Sequence, residues 1–327
     1  MVLRTLSSNR PALAVVGPLL ALGAFLPLIK TGEVKVISSG YPIDAVLAAL
    51  AHPVFLPIIL TAILLVVGSI SVNTVFNQFE LHSSPTYMPG FLYALCGLVL
   101  TFMQWSIPAL LANIVLLLGM HSIMSVYRQA RAHDPYFRAA FWFGLSALIF
   151  PPYLALLPGL WLAVLFNRTF QWREHMAVII GFSIPFLYWF CFAFWTGQLS
   201  HLVLFVKILS FNPEQFIRSL DWWDTSFLTL TAIIFILGGF RFLVGAGKGS
   251  NKSRTEKMVL LIVSAALIVS VFVGYQFSGF WNLLPLSLPF AFLAGHWFTN
   301  YRFSLLAPFF FYALLVFAGL LIYKGYF

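Results

Sequence analysis

Residues 136–167 read YFRAAFWFGLSALIFPPYLALLPGLWLAVLFN, and no charged residue stands between Arg138 and Arg168. The run is too long and too uniformly apolar for one helix of a water-soluble domain. It is divided at Pro151-Pro152, where the missing N–H and fixed φ of proline stop a helix. It therefore reads as two membrane-crossing helices, 136–150 and 152–167, joined by a tight hairpin at the membrane surface.

The same pattern extends in both directions. Asp, Glu, Lys and Arg make up 8% of the 327 residues and hydrophobic residues 61%, against roughly 25% charged in an ordinary soluble domain. Lipid accommodates such a chain, because helices of about 20 residues satisfy their own backbone groups. The reading is an all-α polytopic bundle of about 11 spans: 11–29, 53–71, 88–104, 106–125, 136–150, 152–167, 176–196, 226–245, 258–275, 279–298 and 304–323. Ser106-Ile107-Pro108 makes a second hairpin. Arg4 and Arg10 precede an apolar stretch without a clear small-residue cleavage site, so the first segment reads as an uncleaved span.

The basic residues orient the bundle. With the N-terminus inside, the inner loops hold Arg4, Arg10, Arg128, Arg131, Arg138, Arg168, Arg173, Arg241, Lys248, Lys252, Arg254, Lys257 and Arg302, and the outer side keeps Lys30, Lys35, Lys207, Arg218 and Lys324. The excess favours N-terminus in and C-terminus out. It also accounts for the net charge of +9 without a nucleic-acid partner. Cys96 and Cys191 sit in apolar runs without CxxC spacing and read as buried small hydrophobes.

The motifs exclude several chemistries. Gly245 to Ser250 lacks the glycine spacing, the Ser/Thr after Lys and the preceding strand of a phosphate-binding loop. The seven histidines show no HxxxH pair, as a metal centre on facing helices would need. None of the nine acids falls in mid-span, which argues against a proton-driven pump. Trp172-Arg173-Glu174 reads as an inner-surface anchor, with Arg173 paired to Glu174 or to lipid phosphate. Two outer loops remain, 30–52 and 197–225. The first carries Lys30, Glu33, Lys35 and Asp44. The second has an interfacial stretch, Leu199–Leu209, followed by Arg218 and Asp221-Trp222-Trp223-Asp224. These charges suit a reaction on a lipid-linked substrate at the membrane boundary, with a carboxylate as general base or as holder of a divalent metal on a diphosphate. Lys and Arg would bind phosphate. The plain alternative is a solvated rim.

Phe141 to Leu148, Pro151-Pro152, Leu156-Leu157-Pro158-Gly159, Asn167-Arg168, Ile184-Pro185 and Tyr188-Trp189 follow one another in an order that resembles the central helices of the GT-C superfamily, multi-pass glycosyltransferases that use polyprenyl-phosphate sugars. The whole chain more closely resembles a family of uncharacterised multi-pass inner-membrane proteins of Bacteroidota, through Ser8-Asn9-Arg10-Pro11-Ala12, Asn77-Gln78-Phe79-Glu80, Pro108 to Asn113, Phe150-Pro151-Pro152 and Trp172-Arg173-Glu174. That second resemblance names no activity.

The first resemblance implies a GT-C-like membrane domain over 1–245. The stretch 246–257, with Gly247-Lys248-Gly249-Ser250-Asn251-Lys252, reads by its composition as a flexible basic cytoplasmic linker before a three-span unit over 258–327. The resemblance implies Asp44 or Glu33 as base or metal ligand. Lys30, Lys35 or Arg218 would hold phosphate, and Asp221, Trp222, Trp223 and Asp224 would line the sugar or lipid site. The chain departs from the glycosyltransferase pattern in three places. It lacks an adjacent acidic pair in the first outer loop, a lysine after the Gly-Leu helix, and an acid at Asn113 or Ser106. Three readings follow: a glycosyltransferase acting at the outer face of the bacterial inner membrane, a non-catalytic scaffold of a secretion or polysaccharide complex, and a lipid-carrier transporter.

Overall fold

The computed structural model describes Gly23 and residues 55–79, 81–82, 85–103, 106–126, 132–167, 171–197, 222–246, 251–278, 282–300 and 306–324. The expected first span apart from Gly23, the outer loop 30–52, Glu80, residues 198–221 and residues 247–250 lie outside them. Among the described residues there is no strand. The helices are α1 (Phe55–Gln78), α2 (Met88–Met103), α3 (Ile107–Met124), α4 (His133–Ile149), α5 (Leu156–Asn167), α6 (Trp172–Trp195), α7 (Trp222–Ala246), α8 (Asn251–Ser278), α9 (Ser287–Thr299) and α10 (Leu306–Lys324).

Ten of the eleven expected spans fall on these helices. Six helices (α1, α3, α6, α7, α8 and α10) are long and apolar enough to cross a membrane. The proline punctuation acts as the sequence indicates. Pro151-Pro152 opens a short 3-10 turn, Pro151–Ala155, that reverses the chain between α4 and α5. Pro108 occupies the first turn of α3, where its missing N–H would have had no partner in any case.

One stretch differs from expectation. Helix α8 begins at Asn251, so the second half of the supposed linker 246–257 is helical. Its Lys252 and Glu256, one turn apart, approach to 3.9 Å, an i,i+4 pair that supports a helix over polar residues.

The helices pack as a continuous bundle. α4 lies between α3 and α6, α1 touches α2 and α3, α9 lies between α2 and α7, α8 packs on α5, and α10 touches α7. One apolar core runs through all of them, so the three C-terminal helices are interleaved with the earlier ones. At the α4–α6 crossing the backbones meet through glycine. A Cβ on Gly144 would collide with the Phe182 carbonyl, and one on Gly181 would lie 2.6 Å from Phe137 O. Small residues at such crossings let helices approach without a side chain between them.

A ladder on α1 holds the start of α2. Ser69, Asn73 and Asn77 recur every fourth residue and so share one face. The Ser69 hydroxyl donates to Gly90 O (2.8 Å), Gly90 N donates to Asn73 Oδ1 (2.7 Å), and the Asn77 amide both accepts from Thr86 N (2.9 Å) and donates to Thr86 O (3.0 Å). The bond from Gly90 N satisfies one of the N–H groups that a helix start leaves open, and those to Thr86 fix the chain just before the helix.

The outer surface of the bundle is apolar. Phe190, Phe192 and Phe194 on α6, Ile236 and Phe240 on α7, and Phe309 and Val316 on α10 are all exposed. A surface of this kind belongs in hydrocarbon rather than in water.

Candidate functional site

Contacts between helix termini sort the bundle into two ends. At one end the turn after α1 meets the last turn of α9, where the rings of His82 and His296 lie 6.0 Å apart. There too His121, in the last turn of α3, reaches Gln78 Oε1 at the end of α1 (3.1 Å), and Lys257 of α8 lies over Phe242 of α7. Arg138, Arg173, Arg241, Lys252, Arg254 and Lys257 occupy the helix termini on this side, which is therefore the basic end. At the opposite end Asn113 of α3 meets the start of α9, and Pro152 contacts Gly274 of α8.

The opposite half of the bundle contains a cavity of about 470 Å³, within the size range of small-molecule sites, about 300–1,000 Å³. Cys96 and Leu100 of α2, Leu228, Thr231, Ala232, Phe235 and Ile236 of α7, Ile268 of α8, and Leu283, Leu286 and Phe290 at the start of α9 line it. Its place follows from the α7–α9 contact. The two backbones come together at Gly238, where a Cβ would lie 2.8 Å from Leu293 O. Every lining residue on α7 precedes Gly238, and those beside α9 precede Leu293.

The lining offers little to a polar ligand. The Thr231 hydroxyl donates to Leu228 O within its own helix (2.9 Å). Such a cavity suits a hydrocarbon chain. The polar groups lie one turn beyond it. Asp224, Leu228, Thr231 and Phe235 follow an i, i+4, i+7, i+11 series and share a face of α7, so the carboxylate continues the stripe that lines the cavity. Trp222 and Trp223 stand beside it with ring centroids 4.2 Å apart, and Trp222 is exposed. An acid in the first turn also complements the positive end of the helix dipole.

Of the residues singled out from the sequence, the structure thus places Trp222, Trp223 and Asp224 at the end of the bundle that holds the cavity. Lys30, Glu33, Lys35, Asp44, Arg218 and Asp221 lie outside the described residues. Among the described residues no group of three or more His, Cys, Asp or Glu side chains could hold a metal ion.

Beside the cavity lies a polar network that the sequence did not reveal. Asn113, fully buried, donates through Nδ2 to Leu284 O and to Ser287 Oγ (3.3 Å each). It accepts a short hydrogen bond from the Tyr153 hydroxyl. Ser287 in turn donates to Leu284 O (2.6 Å). The network ties α3, the 151–155 turn and the start of α9 together next to Leu283 and Leu286 of the cavity wall. Two sequence readings also need correction. Glu174, expected exposed at the inner surface, is 3% exposed. Cys191, expected buried, is exposed on α6, whereas Cys96 is buried as expected. Arg173 lies over the Trp172 ring, 6.0 Å from its centroid.

Comparison with protein-family models, with curated proteins and with solved structures finds no match for this chain.

Proposed function

We propose that this chain is a bacterial inner-membrane protein of envelope glycan or glycolipid assembly that binds a polyprenyl-phosphate-linked sugar from the outer side and transfers the sugar. The observation that carries the reading is the apolar cavity whose lining stripe on α7 continues, one turn further, into Asp224 beside Trp222 and Trp223. A long hydrocarbon chain fits the first part and a sugar or phosphate the second. Trp and Tyr favour headgroup depth, and the crowding of Lys and Arg at the far end makes that end cytoplasmic by the positive-inside rule.

In this reading the two outer loops supply the chemistry. Asp44 or Glu33 takes the proton from an acceptor hydroxyl. The hydroxyl oxygen bonds to the anomeric carbon as the bond from that carbon to the phosphate oxygen breaks, and the electron pair leaves with the polyprenyl phosphate. Lys30, Lys35 or Arg218 stabilises the departing charge. A divalent metal on the phosphate would be held by the same acids.

The test uses amides, which keep the shape of the acids but lose charge and basicity. Glu33→Gln with Asp44→Asn should leave the protein at normal level in the membrane while failing to restore the envelope phenotype of a deletion strain. Complementation at wild-type strength would remove the catalytic assignment. If disrupting Leu199–Leu209 still abolished function in that case, the scaffold reading would replace it.

A further inference from the structure

The basic end contains a lysine whose surroundings do not explain it. Lys257, on the first turns of α8, is 7% exposed, and among the described residues no carboxylate pairs with it. Its ammonium lies over the Phe242 ring, 5.8 Å from the centroid. The same ring meets His296 edge-on at 5.0 Å. His82, from the turn after α1, packs against His296 at 6.0 Å, and Lys257 and His82 are both near enough to His296 to act on it electrostatically. Four separate chain segments thus bring three cationic or titratable groups around one aromatic floor. The Asn300 amide, 3.1 Å from His296 Nε2, lies beside them.

A buried ammonium needs a counter-charge, and a cation–π contact replaces only part of its lost hydration. Glu256, next in sequence, has Lys252 as a partner. Basic pockets between helices on the cytoplasmic side of membrane proteins are binding places for anionic headgroups. We propose that Lys257, His82 and His296 form a phosphate-binding pocket at the basic end of the bundle. The phosphate comes from an anionic phospholipid headgroup or from free phosphate in the cytoplasm. The site is distinct from the cavity near Asp224 and does not depend on the activity proposed for that end.

The test is native mass spectrometry of the full chain released from detergent micelles after equilibration with phosphatidylglycerol, phosphatidylcholine or inorganic phosphate. The expected result is saturable binding of phosphatidylglycerol at least tenfold tighter than phosphatidylcholine, lost in Lys257→Met and retained in Lys257→Arg and Lys252→Met. Saturable binding of inorganic phosphate with the same dependence on Lys257 would identify the soluble source. Should Lys257→Met not accumulate, His82→Gln on the partly exposed turn should weaken the same binding several-fold. Equal binding by wild type, Lys257→Met and His82→Gln would overturn the proposal, as would no saturable binding of either anionic probe. So would a gain of binding on Glu80→Gln, which would show that a carboxylate of the chain itself fills the place.

Discussion

Asn113 offers the sharpest test of the packing. Replacing it with Leu keeps the volume and removes the amide. Three contacts disappear, but their consequences are unequal. Ser287 keeps its own bond to Leu284 O at 2.6 Å, so neither of those groups is orphaned. The Tyr153 hydroxyl, fully buried, loses its acceptor. An orphaned buried polar group costs about 1–3 kcal/mol, whereas interhelical hydrogen bonds in membrane proteins contribute on average about 0.6 and at most about 1.7 kcal/mol by double-mutant cycles. Asn113→Leu should therefore destabilise by about 2 kcal/mol and Tyr153→Phe by about 1 kcal/mol. The double variant, with both partners gone, should cost about 2 kcal/mol rather than the sum, a coupling of about 1 kcal/mol. The assay is unfolding of the purified protein in mixed micelles by increasing SDS, followed by tryptophan fluorescence. Additive losses in the double variant would refute the Tyr153–Asn113 bond. A neutral Asn113→Leu would refute the network.

Other expectations follow from the same geometry. Gly144→Val places a side chain against the Phe182 backbone and should destabilise by about 1–3 kcal/mol through overpacking, in the same SDS titration, while Gly319→Ala, with open space around it, should be nearly silent. Asn77→Ala should free the Thr86 backbone and speed hydrogen exchange at residues 86–88, and unchanged exchange there would contradict the ladder. Glu174→Gln should lower stability by about 1–3 kcal/mol, the range for disturbing a buried hydrogen-bonded group, since the carboxylate is buried; loss of function with unchanged stability would instead move the active face to the basic end. In intact cells lacking Cys96 and Cys191, an impermeant thiol reagent should label Ser219→Cys and spare Ser250→Cys; the reverse pattern would invert the orientation.

The sequence disclosed the helices because lipid makes their signal strong and prolines break it sharply. The Phe150-Pro151-Pro152 hairpin and the start of α3 at Pro108 were legible to within a residue or two. Helix α8 was misjudged at its start because Asn251 to Lys257 is polar, and the apolar pattern that marks a span begins only afterwards. The side-chain network was not legible for another reason. Asn113, Tyr153 and Ser287 are each unremarkable polar residues in apolar runs, separated by forty and 174 positions from Asn113, and only packing shows that they share a site. The histidines follow the same logic. No spacing rule links His82 to His296, since they meet across the turn after α1 and the end of α9. Of the residues singled out for the candidate site, Trp222, Trp223 and Asp224 drew notice through their composition, an acid among aromatics at the end of an apolar run. The cavity was invisible, because Leu, Ala and Phe lining an empty space read the same as Leu, Ala and Phe filling a core.

The central claim is that a polyprenyl chain occupies the cavity between α2, α7, α8 and α9. Photocrosslinking with a polyprenyl phosphate that carries a photoreactive group on its tail, followed by peptide mapping of the full chain in liposomes, tests it most directly. The account predicts adducts concentrated on Leu228–Ile236 and Leu283–Phe290, competed by unlabelled polyprenyl phosphate and abolished by Ala232→Trp, which fills the space. Adducts spread evenly over the lipid-facing surfaces of α6 and α10, and unchanged in Ala232→Trp, would contradict it.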